Sequence, residues 1–160
     1  MVPVHRRYAR CSDRTLPKPS ADATSDVVSI TGKQGVTTPL GTARPAGTGG
    51  SLILDLRADN TWQLRGDGSR PVTFRVDQYT VDARIDGTLS GTYRRSGTTF
   101  VFTQEDADGT VTLATPVGSK EYDMQAVGSA LAPAGTATIT CKPDTVDFAS
   151  ESVTMTLKHH

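Results

Sequence analysis

Histidine, the side chain that most often carries acid–base catalysis or binds a transition metal, lies only near the ends of this 160-residue chain. The three histidines are His5, His159 and His160. A zinc site draws together several His or Cys ligands, and a Ser-His-Asp triad needs a histidine beside its nucleophile within the fold. We therefore expect no catalytic residues of these kinds, no metal centre and no cofactor.

Three short motifs have an ordinary structural explanation. Asp106-Ala107-Asp108-Gly109 resembles half a calcium loop but lacks the further acidic ligands, so a hairpin turn is expected there. Gly47-Thr48-Gly49-Gly50 lacks the lysine of a phosphate-binding loop and is expected to be a connector. Arg65-Gly66-Asp67 carries an adhesion tripeptide, yet the glycine and aspartate also suit a turn.

The aromatic residues are the strongest candidates for a binding site. Most of them, together with one methionine, fall on the apolar face of the predicted strands. An apolar pocket in which tyrosine hydroxyls orient the ligand is the usual construction of a small-molecule site. The alternative is that these side chains simply fill the core. The predicted ligand-binding residues are Trp62, Phe74, Tyr79, Tyr93, Phe100, Phe102, Tyr122, Met124 and Phe148.

Strict alternation of apolar and polar residues predicts the elements that position these side chains. In the first clear run, Leu52, Leu54 and Leu56 alternate with Asp55 and Arg57. Side chains of a strand point to opposite faces in turn, so this period indicates half-buried strands. Asp-Gly pairs between later runs favour tight antiparallel hairpins. We count about ten short strands and no convincing helix, with 125–131 too short to assign.

The composition supports an all-β fold. Threonine is abundant, whereas glutamate occurs three times and lysine five times. Because a long meander removes its exposed edges by closing, we predict an antiparallel up-and-down β-barrel of about 8–10 strands. A two-sheet β-sandwich is the second choice. Residues 1–26 are predicted to be a flexible basic tail and residues 27–158 a single domain, with a long Gly/Pro/Thr-rich loop at 32–50.

Charge and hydropathy limit the partners. The formal net charge is zero, which argues against an electrostatic nucleic-acid binder. No apolar run approaches the ~20 residues of a membrane-spanning helix. A small apolar molecule is therefore the expected partner, and the sequence leaves the oligomeric state open.

The start of the chain and the two cysteines carry the information on the cellular compartment. The first residues are basic but lack the apolar stretch of a signal peptide. We expect an extracytoplasmic protein whose signal is absent from this chain, with a cytoplasmic one as the alternative. Cys11 and Cys141 either form a bridge or stay a free thiol and a small buried residue, and the second interpretation is favoured.

Several segments resemble bacterial lipocalin-like domains of the kind found in actinobacterial envelope proteins. The resemblance covers about residues 51–158 and rests on 54–64 with its single tryptophan, on 87–93, on 138–141 and on 153–157. The Gly-x-Trp signature of classical lipocalins is absent, because a threonine precedes Trp62. The resemblance implies a calyx that takes an apolar ligand, and no catalytic residues.

Three functions follow from these observations. The first is a non-catalytic, lipocalin-like barrel that binds a small apolar ligand. The second is a cofactor-free barrel cyclase of natural-product biosynthesis, which would promote an intramolecular cycloaddition by holding its substrate in a shaped cavity. The third is a structural or inhibitory domain whose core is filled.

Overall fold

The computed structural model describes residues 23–97, 99–116 and 118–159. Within these ranges the chain forms twelve strands and one short helical segment. The strands are β1 Ala23–Gly32, β2 Val36–Thr38, β3 Gly41–Thr48, β4 Ile53–Leu56, β5 Thr61–Asp67, β6 Val72–Val76, β7 Tyr79–Ser96, β8 Thr99–Thr115, β9 Gly118–Asp123, β10 Gly135–Cys141, β11 Val146–Ala149 and β12 Val153–His159. The helical segment consists of α1, Met124–Val127, and a 3-10 turn, Gly128–Ala130.

Eight of the strands form a closed, barrel-like ring of antiparallel neighbours. Going round the ring, the order is β1, β4, β5, β7, β8, β10, β11 and β12, and β12 then pairs with β1. The ring thus follows chain order, as a meander does. The predicted all-β class and the closed antiparallel arrangement are confirmed.

The remaining strands extend the wall of the ring. β1 pairs first with β4, along Ala23–Asp26, and then with β3, along Ser29–Thr31. β7 pairs likewise with β6 along 79–83 and with β5 along 86–92. The paired strands β3 and β6 therefore continue the wall beyond β4 and β5. We call the end of the ring that carries the β4–β5, β7–β8 and β10–β11 turns the mouth.

The interior of the ring is a single apolar core. Its largest fully buried side chains come from the inward face of the strands, from the helical segment and from residues directly beside them. That segment packs inside, because a Cβ at Gly128 would meet Leu89 and a Cβ at Gly32 would meet the carbonyl oxygen of Ala130. The buried set includes Trp62, Phe74, Phe148, Ile30, Leu52, Leu54, Leu64, Ile85, Leu89, Leu113, Met124 and Leu131.

Two predicted boundaries are wrong. Residues 23–26, assigned to the tail, belong to β1, and the predicted loop at 32–50 contains the whole of β2 and β3. These strands were not predicted because their Gly/Pro/Thr-rich composition is typical of a loop. Pro45 is tolerated because it falls between the stretch of β3 that pairs with β2, up to Ala43, and the stretch that pairs with β1, from Ala46. Residues 1–22 of the predicted tail lie outside the described residues.

A bulge interrupts the long β7–β8 hairpin near its middle. Ser90 is opposite Asp106 and Gly91 is opposite Gln104, so Glu105 is an extra residue on β8. A bulge bends the strand and changes the direction of its carbonyl groups. At Gly91 a side chain would overlap the carbonyl oxygen of Thr103 and come within 2.9 Å of the Trp62 indole nitrogen. The bulge therefore requires glycine at this position.

We expect Gly91→Ala to lower the free energy of unfolding by about 1–3 kcal/mol, because the added methyl group must push backbone apart in a packed core. Urea denaturation followed by circular dichroism measures the change. Ser90→Ala, at the neighbouring outward-facing position, is the control and should stay within about 0.5 kcal/mol of the parent. Equal stabilities for the two variants would contradict the close approach at Gly91.

Candidate functional site

Trp62 lies at the centre of the predicted site and is completely buried. It is on β5, opposite Leu56 of β4 and Gly91 of β7. Its indole N–H donates to the carbonyl oxygens of Thr92 and Thr103, each at 3.2 Å. The indole nitrogen is the only polar atom of the side chain, so its hydrogen-bonding capacity is already used within the protein.

Five of the predicted ligand-binding residues form one aromatic cluster. Phe102 is its hub: it stacks on Tyr93 with ring centroids 5.4 Å apart and meets Phe148 edge-on at 5.1 Å. Trp62 lies 6.2 Å from Phe102, and Phe100 lies 6.0 Å from Tyr93. These separations are typical of aromatic pairs in direct contact. The rings therefore pack on one another.

The remaining predicted ligand-binding residues lie outside this aromatic cluster. Phe74 of β6 and Met124 of α1 are buried in the same core. Tyr79 is 62% exposed, so its predicted inward position is wrong. The alternation is right for Val81 and Ala83, which are buried, but Tyr79 is the first residue of β7 and lies at the edge of the core.

The tyrosine hydroxyls differ in what they contact. The Tyr93 hydroxyl donates to the carbonyl oxygen of Arg57 at 2.8 Å and so secures the β4–β5 turn. The Tyr122 hydroxyl is buried and has no hydrogen-bond partner among the described residues. Tyr122 is on β9, opposite the buried Val111. A buried polar group without a partner costs about 1–3 kcal/mol.

Sequence reasoning missed one buried charge on the outer face of the ring. Asp55 of β4 is only 6% exposed, and its Oδ2 accepts a hydrogen bond from Arg65 Nε at 3.0 Å. Its other oxygen, Oδ1, is buried and has no hydrogen-bond partner in the part of the chain that the structure describes. The alternation placed Asp55 outward correctly, but it carried no sign of burial.

Two open depressions lie on the outer surface of the ring. One, of about 220 Å³, is lined by backbone and side chains of the β7–β8 hairpin near Tyr93 and Arg94. The other, of about 240 Å³, is bordered by Arg65, Asp67 and Asp86. Hydrogen bonds from the hydroxyl and then the amide of Ser69 lower the pKa of Asp67 below its ordinary value of 3.8.

Cys141 is disulfide-bonded. The favoured interpretation of it as a free buried thiol is therefore wrong, and its side chain is half-buried. Cys11, the one other cysteine of the sequence, lies outside the described residues. The alternating pattern around Cys141 predicted its strand but contained no information on its oxidation state.

Among the described residues, no group of three or more His, Cys, Asp or Glu side chains is arranged to hold a metal ion. In the same part of the chain, no helix has the length and apolarity to cross a membrane.

No family model matches the chain, and comparison with curated proteins and with solved structures likewise gave no significant match.

We expect Phe148→Ala to lower the free energy of unfolding by about 3–5 kcal/mol, because removing the ring opens a cavity in a filled core. Benzene should bind that cavity and recover part of the loss. Thermal unfolding with and without benzene measures both effects. Tyr79→Ala, at an exposed ring, should change stability by no more than about 0.5 kcal/mol and should not respond to benzene. If Phe148→Ala lowered the free energy of unfolding as little as Tyr79→Ala does, Phe148 would already border an open space.

Proposed function

We propose that this protein is a non-catalytic structural or inhibitory domain with a filled core, which acts in an oxidising compartment. The packing of Trp62, Tyr93, Phe100, Phe102 and Phe148 on one another is the observation that carries the proposal.

Cavity size favours a filled core over a carrier of small molecules. Small-molecule sites are clefts of about 300–1,000 Å³ that bury most of the ligand. Two open depressions on the outer surface, of about 220 and 240 Å³, are smaller than such a cleft. The indole N–H of Trp62 and the hydroxyl of Tyr93, which would orient a ligand, already donate to backbone carbonyl oxygens.

The disulfide at Cys141 supports export. Disulfides persist in secreted and periplasmic proteins and are rare in the reducing cytosol. The extracytoplasmic location therefore enters the proposal together with the filled core.

The other functions suggested by the sequence stay predictions. A lipocalin-like ligand carrier and a cofactor-free cyclase both need an interior cavity into which a ligand or substrate fits. Each would require the aromatic cluster to separate when a molecule enters the ring. The resemblance to bacterial lipocalin-like domains also stays a prediction.

Native mass spectrometry of the freshly purified, unreduced protein tests the proposal. We expect the mass of the chain less the two hydrogens lost to the disulfide, and the same mass after denaturation. Adding a long-chain fatty acid in excess should produce no adduct that survives gentle activation.

A mass excess that disappears on denaturation would overturn the filled core and would identify the bound molecule by its mass. A specific one-to-one fatty-acid adduct would overturn it as well and would favour the carrier function.

A further inference from the structure

Strand β9 forms one free edge of the sheet. It begins at the end of the ring opposite the mouth and, among the described residues, pairs only with β8. Five of its six residues are exposed, and Tyr122 is half-buried. A strand edge of this kind presents unpaired N–H and C=O groups, to which a strand of another chain can add. The edge is therefore open to a second copy of the chain unless its side chains prevent the pairing.

Lys120 places a charge on the inward side of this edge. It is in register with Leu113 of β8, and Leu113 is in register with Ala83 of β7. Both of these residues are completely buried in the core. Residues directly opposite each other on paired strands share a face, so Lys120 belongs to the inward face although it is exposed. The next residue, Glu121, belongs to the outer face and is exposed as well.

Pairing of β9 with β9 of a second copy would bring each of these charges against its own kind. Two antiparallel strands related by a two-fold axis match inward face to inward face only when the axis passes through one residue, which then lies opposite its own copy. Within Gly118–Asp123, two such registers pair five residues of each strand. They are centred on Lys120, which pairs 118–122, and on Glu121, which pairs 119–123.

We propose that Lys120 and Glu121 together keep this protein monomeric, because each blocks one of the two long registers in which β9 could pair with a second copy. Like charges directly opposite each other on paired strands are destabilising. Their Cβ atoms would lie about 5 Å apart. That separation is shorter than the Debye length of about 8 Å at physiological salt, so the repulsion is not screened.

The remaining ways of extending the sheet are blocked by length. Registers of β9 centred on Ser119 or Tyr122 pair no more than three residues of each strand. The other end of the sheet, β2, also has three residues, and Pro39 follows it. A typical strand has about five or six residues, and short edge strands and prolines are ways in which proteins prevent association between edges. The two charges on β9 protect the one long free edge among the described strands.

Analytical ultracentrifugation of the full, unreduced chain tests the proposal. The parent protein should be a monomer. Lys120→Thr removes the charge and keeps a residue that suits a strand, so it should self-associate several-fold more strongly. Glu121→Thr should do the same through the second register. Arg75→Thr is the matched control, because Arg75 is an exposed cation on β6, which has a neighbouring strand on each side, and it should stay monomeric.

A charge reversal gives a second, independent measurement. Lys120→Glu alone should stay monomeric, because it places two carboxylates opposite each other. Mixed with the parent protein, it should form a one-to-one heterodimer in which Glu at position 120 of one chain faces Lys120 of the other. Hydrogen exchange of the β9 amides should slow in that heterodimer, since they gain hydrogen bonds across the edge. Arg75→Glu mixed with the parent protein should form no heterodimer.

A dimeric parent protein would overturn the proposal. It would also be overturned if Lys120→Thr and the mixture of Lys120→Glu with the parent protein both stayed monomeric. Association that left the hydrogen exchange of the β9 amides unchanged would overturn it too, because the contact would then lie elsewhere.

Discussion

The hydrogen bonds of one buried indole nitrogen join three neighbouring strands of the ring. Trp62 of β5 donates to carbonyl oxygens of both β7 and β8, the two strands of the longest hairpin. It reaches them because Gly91 has no side chain and because a bulge lies at that point. A buried donor without a partner is costly, so this contact sets where the three strands meet. The aromatic cluster packs around that fixed ring.

The filling of the interior follows from how the wall is built. β1 and β7 each pair with two successive strands along one edge. The wall of the ring therefore extends further along the strand direction than β4, with its four residues, would reach alone. A longer wall encloses more volume, and the chain fills it with the segment around α1, including Met124, Val127 and Leu131. Protein interiors are packed nearly as densely as organic crystals, so this segment and the aromatic cluster leave the core continuous.

Periodicity predicted which side chains point inward, and composition obscured where some strands lie. The alternation placed Trp62, Phe102 and Phe148 correctly, since burial on one face is what produces a period of two. It failed for β3, where glycine, proline and threonine suggested a loop although Ala43 and Pro45 are buried. The burial of Asp55 and the oxidation of Cys141 depend on contacts between distant segments, and a local pattern contains no record of them.

The fluorescence of Trp62 tests most directly whether the interior is a packed core, because the chain has a single tryptophan. The emission of the native protein is measured with increasing acrylamide and then with hexadecanoic acid, and the urea-unfolded protein serves as the reference. A packed core predicts blue-shifted emission that acrylamide quenches only after unfolding and that the fatty acid leaves unchanged. Quenching or a spectral shift of the native protein by the fatty acid would contradict the account.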